Sequence, residues 1–213
     1  MSQEQARLIG AIKNNNPEQL KKVIYPTTCE ELTRLIRFFS CREAIYPKIN
    51  VMPDHMSYPP LSNAIINNCS YEILQVLLEA GADPNYAYKS SLQDQITSPL
   101  IDGIRQYLND TFNEYKLNLL FKYAADNINQ PLSQNKTAAH QTIALLKEHH
   151  NQSIIQPIIQ KLYNNGADLQ AQDDNGNQPT DYLPDNFKIN EALPNIGRVV
   201  NDGYYEIRSF PAQ

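Results

Sequence analysis

The chain has 213 residues, a net charge of −5, 3 Cys and no Trp. That length bounds one ordinary domain or one elongated array. The acidic balance, with a sequence pI of about 5.4, excludes a generic binder of nucleic-acid backbone. Cys29, Cys41 and Cys69 form an odd set without CxxC spacing, which argues against a disulfide scaffold or zinc ribbon and fits a reducing, cytoplasmic compartment. The N-terminus, Met-Ser-Gln-Glu-Gln-Ala-Arg, has no signal-peptide core, and no apolar run approaches the roughly 20 residues of a membrane span.

Residues 6–24 give two short helical patterns around Asn14-Asn15-Asn16-Pro17. Leu8, Ala11 and Ile12 mark the first, and Leu20, Val23 and Ile24 the second. Pro17 suits the first position of a helix. Thr28 caps a further helical pattern through Phe39, with Leu32, Leu35, Ile36 and Phe39 as its stripe. An irregular connection follows from Tyr46 to Tyr58, broken by Pro47 and Pro53.

The stretch from Ser57 to Ser90 is the most regular. Leu61, Ala64 and Ile65 stand at i, i+3, i+4, then Ile73, Leu74, Leu77 and Leu78 form a second stripe after Asn67-Asn68-Cys69-Ser70. Gly81 is placed to end the second helix in the left-handed conformation, and Pro84 prevents it from restarting. Two short stripes of this kind cannot bury each other alone, so the pair needs neighbours of the same shape.

Pro59-Pro60-Leu61-Ser62-Asn63-Ala64 and Leu77-Leu78-Glu79-Ala80-Gly81-Ala82-Asp83-Pro84-Asn85 resemble the two motifs of an ankyrin repeat, a unit of about 33 residues with Thr-Pro-Leu-His-x-Ala at its start. Ser62 replaces the usual His, and the inter-helix turn lacks its usual Gly. The resemblance extends to residues 6–24, whose Gln3 and Arg7 suit an N-terminal cap facing water. In residues 97–132, Ser98-Pro99-Leu100-Ile101-Asp102-Gly103 takes the first motif and Ala124-Ala125-Asp126-Asn127-Ile128-Asn129 the second. Roughly five or six extra residues lie between the helices of that unit, against the family period, and the segment includes Tyr107, Phe112 and Tyr115. In residues 135–173, Thr137-Ala138-Ala139-His140-Gln141-Thr142 and Gly166-Ala167-Asp168 take the two places.

The resemblance implies an all-α ankyrin-repeat solenoid of about four to five units, degenerate caps included. The units are residues 5–27, 28–56 (degenerate), 57–90, 97–132, 135–173 and a cap at 174–195, within a domain spanning 1–195. Glu191-Ala192-Leu193 is read as part of a capping helix. The tail, 196–213, is expected to be extended, with Val199-Val200 and Tyr204-Tyr205-Glu206-Ile207 forming a small hairpin around Asn201-Asp202-Gly203.

No phosphate loop, Gly-x-Ser-x-Gly, His-Glu-x-x-His or EF-hand loop is present in the sequence. His149-His150 has no Cys or carboxylate cluster at ligand spacing and reads as an exposed segment rather than a metal site. His140 invites a catalytic reading, but the family resemblance implies a structural ring that bonds backbone in the neighbouring loop. The three cysteines with Asp54-His55 read as core thiols rather than a nucleophile and base. The expectation is therefore no catalysis, cofactor or metal.

The loop tips and the exposed faces of the first helices are instead expected to carry function, by binding a protein partner as a monomer. The tip residues are Asn85, Tyr86, Tyr88, Lys89, Asn129, Gln130, Gln170, Gln172 and Asp173. The helix residues are Asn63, Asn67, Asp102, Arg105, Gln106 and Gln141. Tyr86 is favoured as a contact because a Tyr ring buries area at low entropic cost; for Tyr88, contact and cover for the next loop weigh evenly. The composition and lengthened inter-helix segments resemble ankyrin effectors of intracellular bacteria, which implies a host protein as partner. The alternative is the ankyrin portion of a larger enzyme, or an enzyme with its site in residues 28–56.

Overall fold

The computed structural model describes residues 3–24, 49–50, 58–90, 95–147, 152–183, 198–201 and 204–207. They are mostly helical, with a few short strands. The helices come in pairs: α1 (Gln3–Lys13) with α2 (Pro17–Ile24), α3 (Pro60–Ile66) with α4 (Tyr71–Glu79), α5 (Pro99–Leu108) with α6 (Glu114–Ala124), and α7 (Ala138–Lys147) with α8 (Gln152–Asn164). Strands β1 (Tyr88–Lys89) and β2 (Ile96–Thr97) form one antiparallel ribbon, and β3 (Arg198–Asn201) and β4 (Tyr204–Ile207) another. The chain divides into two compact units, Met1–Asn127 and Ile128–Gln213.

Within the first unit the hairpins pack in series. α1 lies against α3 and α3 against α5, while α2 lies against α4 and α4 against α6. The core sits between these layers: Ile12 and Leu20, then Leu61, Ile65, Ile73, Leu74 and Leu77, then Leu100, Ile101, Ile104, Leu117 and Phe121, all almost fully buried. Each such side chain contributes about 1.5–3 kcal/mol when taken from water. Gly103 leaves room for the buried Leu120 of α6, whose Cδ1 occupies the space a Cβ would take.

The turn inside each of these three hairpins uses one device. Asn15, Asn68 and Asp110 have φ of 48°, 50° and 56°, the left-handed region that Asn and Asp tolerate better than other side chains. The next residue donates five back, Asn16 to Ala11, Cys69 to Ala64 and Thr111 to Gln106, closing a Schellman motif. Asn and Asp thus fill the place where the sequence lacks a Gly. The second helices α4 and α8 close the same way with glycine: Gly81 has φ 91° in the first unit, and Gly166 has φ 82° in the second. The helix α6 differs, running into a 3-10 turn at Ala125–Asn127.

Asparagine side chains then fix the loops. Asn50 donates to Gly81 O at 3.2 Å and accepts from the Asp83 N–H at 2.8 Å. In the second unit Asn129 does the same with Gly166 O, at 2.9 Å, and the Asp168 N–H, at 2.7 Å. Asp83 and Asp168 each accept from the N–H two residues on, at 2.8 Å, which tightens the turn. Asn85 donates to Ala124 O at 2.8 Å, but its Oδ1 has no partner, because the 3-10 turn removes the N–H that the other two loops supply.

The α1–α2 and α3–α4 hairpins touch directly. The Cys69 thiol donates to Ile12 O at 3.3 Å, and the Ser70 N–H donates to Asn15 Oδ1 at 2.7 Å. Of the degenerate unit expected at 28–56, only Ile49 and Asn50 are described; the buried Ile49 and the clamping Asn50 stand as Ile128 and Asn129 do. The remainder of that unit and the capping helix around Glu191-Ala192-Leu193 lie outside the described residues.

In the second unit, α7 packs against α8 and against a 3-10 turn, Pro179–Tyr182. Pro157 stands inside α8, and Ile155, Ile158, Ile159 and Leu162 are buried. Gln134 and Asn135, at φ 51° and 54°, form a tight turn between Ser133 and Lys136, of the type that two positive φ values define. That loop touches the next: the Asp174 N–H donates to Gln134 O at 3.0 Å, and Asn135 Nδ2 donates to Asp174 Oδ1 at 3.0 Å. The tail strands pair Arg198 with Ile207 and Asn201 with Tyr204.

Asn85→Ala is expected to remove the side-chain clamp on Ala124 O and to lower unfolding stability by about 0.5–1.5 kcal/mol. Urea denaturation followed by circular dichroism measures it. An unchanged midpoint would show that the clamp contributes nothing.

Candidate interaction surface

The β1–β2 ribbon forms a finger before α5. Tyr88 pairs with Thr97 and Lys89 with Ile96. Alternation places Tyr88 and Thr97 inward, both buried, and leaves Lys89 and Ile96 exposed. Beneath the finger the Tyr88 hydroxyl donates to Asp102 Oδ2 at 2.5 Å. Arg105 Nη1 stands 3.5 Å from Asp102 Oδ1, and the Tyr58 ring meets Tyr88 edge-on at 6.3 Å. The hydroxyls of Ser62 and Thr97 face the carboxylate and favour its charge, although neither closes a hydrogen bond of ordinary geometry. Burial outweighs these donors and holds the Asp102 carboxyl above the usual carboxylate range.

Five residues expected on the contact surface are buried. Asn63, on α3, lies inside and accepts from Asn67 Nδ2 through both its backbone and side-chain oxygens. Asn85 is the loop clamp described above. Tyr88 and Asp102 bind each other. Asp173 accepts from the N–H groups of Asn175 and Asn177 and from the Tyr182 hydroxyl. Each of these polar groups is paired: Asn63 and the Asp173 loop with near neighbours in sequence, Asn85, Tyr88 and Asp102 with partners from another segment. Asn129 has an exposed surface, yet both ends of its amide are engaged on the Gly166 loop.

Lys89, Gln130, Gln172 and Asn67 are exposed, and Tyr86, Arg105, Gln106, Gln141 and Gln170 are half-buried. Gln106 Oε1 accepts from the Thr111 hydroxyl, and Asn67 is held by Asn63. In the first unit Tyr86, Lys89, Arg105 and Gln106 come from the finger region and α5. In the second unit Gln130, Gln141, Gln170 and Gln172 come from the loops and α7.

A second feature escaped the sequence reading. A shallow groove of about 520 Å³ lies on α4 and α6, lined by Tyr71, Asn113, Tyr115, Asn118, Leu119 and Lys122. Tyr115 is 79% exposed and Tyr71 39%. The available signal was their position: both follow a helix cap and fall off the apolar stripe.

His140 is a structural ring. Its Nδ1 accepts from the Thr137 N–H at 3.1 Å, and Nε2 faces Asn177 O at 3.1 Å. With Nδ1 accepting, the ring proton belongs on Nε2. Tyr182 packs edge-on against the ring at 6.0 Å, with Lys136 over the Tyr182 face at 5.1 Å. Cys69 is buried, and burial pushes its thiol up, against a smaller opposing effect of Lys116. That is the reverse of nucleophile activation. Lys116 Nζ is itself held by Asn68 Oδ1 at 2.8 Å. Among the described residues no cluster of three His, Cys, Asp or Glu side chains could hold a metal, and no helix is long and apolar enough to cross a membrane. His149, His150, His55, Cys29 and Cys41 lie outside the described residues.

The Tyr182 hydroxyl, with the Asn177 and Asn175 N–H groups, holds the Asp173 carboxyl below its usual range. Its stabilisation is therefore full above the unfolded value near about 3.9 and disappears as pH falls through the folded value. Wild type should lose stability below about pH 4 more steeply than Asp173→Asn, in thermal unfolding measured across that interval. Parallel curves would remove Asp173 as a source of acid sensitivity.

Compared with known proteins, the chain matches no protein-family model and no curated protein sequence.

Proposed function

We propose that this chain is an ankyrin-type repeat protein that binds a protein partner and performs no chemistry of its own. The observation that carries the reading is the serial packing of first helices on first helices and second helices on second helices in Met1–Asn127. The Asn clamps support it, since loops held at both ends present side chains with little ordering entropy left to lose. In this reading the contact surface of the first unit comprises Tyr86 and Lys89 at the finger, with Arg105 and Gln106 on α5. Tyr and Arg are the residue types that most often dominate such interfaces. The resemblance to effectors of intracellular bacteria makes the partner a host protein and the site of action the host cytoplasm.

A captured host protein should lose at least about tenfold in affinity on Tyr86→Ala with Arg105→Ala, measured by calorimetry. Tyr115→Ala, in the groove on α4 and α6, should change it little. Equal affinity of wild type and the double variant, with circular dichroism unchanged, would overturn the assignment of the surface. A translocation-reporter fusion expressed in an intracellular bacterium is expected to reach the host cytosol. Retention of the reporter inside the bacterium would remove the effector part and leave the binding part standing.

A further inference from the structure

In an Asn-Gly pair the asparagine amide is open to attack by the next backbone nitrogen, because glycine has no Cβ to shield that nitrogen. The chain contains the pair twice, at Asn165-Gly166 and Asn175-Gly176, and both lie in the second unit. Both glycines have a positive φ, 82° and 78°. Both glycine N–H groups are held by a turn, on Tyr163 O at 3.0 Å and on Asp173 O at 2.9 Å. The two backbones are alike at this point, and the difference lies in the side chains and in what each turn belongs to. Asn165 is half-buried at the end of α8. Its Nδ2 donates to Lys161 O at 2.7 Å, and the Ala167 N–H donates back to Leu162 O at 3.0 Å. Bringing that amide onto Gly166 N means breaking its bond and fraying the last turn of the helix. Asn175 is exposed, as are Asp174 and Gly176 beside it. Its N–H donates to Asp173 Oδ1 at 2.8 Å, and among the described residues its side-chain amide has no hydrogen bond.

We propose that Asn175 is a site of spontaneous deamidation, which converts the Asp173 loop to an isoaspartyl form, while Asn165 is protected by its place on α8. Opening of the exposed turn frees the Gly176 N–H. Gly176 N gives its proton to hydroxide and bonds to Asn175 Cγ, and the Cγ–Nδ2 bond breaks with release of ammonia. The product is a cyclic imide, and no electrons are gained or lost. Water then opens the imide. Addition of water at Cγ leaves aspartate at position 175. Addition at the backbone carbonyl leaves isoaspartate, whose main chain runs through Cβ and Cγ.

The loop is built for the ordinary backbone and fits the second product badly. Asp173 gathers the Asn175 and Asn177 N–H groups on Oδ1 and the Gly176 N–H on its carbonyl, and its own N–H donates to Asn177 O at 2.9 Å. One more main-chain carbon between positions 175 and 176 lengthens the ring that these bonds close. Asn177 O is also the atom that His140 Nε2 faces, so the His140 ring loses its anchor with the loop. The modification goes beyond the proposal of partner binding and does not rest on it.

The test is to age the full chain in mildly alkaline buffer and map it by peptide fragmentation and mass spectrometry, with isoaspartate told from aspartate by enzymatic methylation. In the folded chain Asn175 should convert at least about tenfold faster than Asn165, because an exposed loop opens at less cost than a packed helix end. In denaturing urea the two rates should converge. Aged wild type should unfold at a lower temperature than fresh protein. Asn175→Ala, which has no amide at that position, should keep its midpoint through the same treatment. Equal rates at the two sites in the folded chain, conversion of Asn175 in urea alone, or a ratio in urea as large as in the folded chain would each overturn the assignment. An equal drop in midpoint for aged wild type and aged Asn175→Ala would overturn the consequence for the loop. These readouts need no partner, so the contact surface can fail while the deamidation site stands, and the reverse.

Discussion

A helix hairpin of seven to eleven residues per arm, as in the first unit, has more apolar surface than its own two helices can cover. Leu61 and Ile65 on α3, and Ile73, Leu74 and Leu77 on α4, are almost fully buried, and burial that complete requires hairpins on both flanks. Those flanks are α1–α2 and α5–α6. The requirement explains why α1–α2 meets α3–α4 directly in spite of the long segment between Ile24 and Pro60. Sequence distance costs little entropy compared with leaving a stripe of Leu and Ile in water.

Once the stripes are stacked, the polar groups at the hairpin ends must be satisfied, and asparagine does much of that. It turns the chain left-handed at Asn15 and Asn68, and it reaches between neighbouring elements from Asn15 to the Ser70 N–H and from Asn68 to Lys116. It fixes the loops through Asn50, Asn85 and Asn129. One amide that both donates and accepts can satisfy a carbonyl and an N–H of the same loop. The Asn-rich composition is thereby partly explained by position rather than by solubility.

Charge follows a different rule. Asp102 and Asp173 are both buried acids bonded to a tyrosine hydroxyl, yet they are perturbed in opposite senses. Asp173 has two backbone N–H groups aimed at one oxygen in addition to its tyrosine, and hydrogen bonds to the charged form prevail. Asp102 has side-chain hydroxyls, two of them poorly aligned, and desolvation prevails. A well-aligned donor set is what separates a stabilising buried carboxylate from a strained one.

The sequence by itself determined the helix pairs, their turns and the loop motif, because these depend on spacing within a few residues: Leu77, Gly81 and Asp83 can be read without knowing what lies next to them. The resemblance also implied that the His140 ring bonds backbone in the neighbouring loop, and its Nε2 faces Asn177 O. The sequence reading placed Asn63, Asn85, Asp102 and Asp173 on the surface, because a polar side chain read alone is assigned to water, and it left Tyr88 balanced between contact and cover; all five are buried. Whether it can be buried depends on partners brought from elsewhere in the chain, such as the finger over α5 or Tyr182 on Asp173. Asn50 was overlooked for the same reason, as its role exists only when the Gly81 loop is beside it. Local periodicity is a property of the chain, whereas the pairing of buried polar groups is a property of the packed structure.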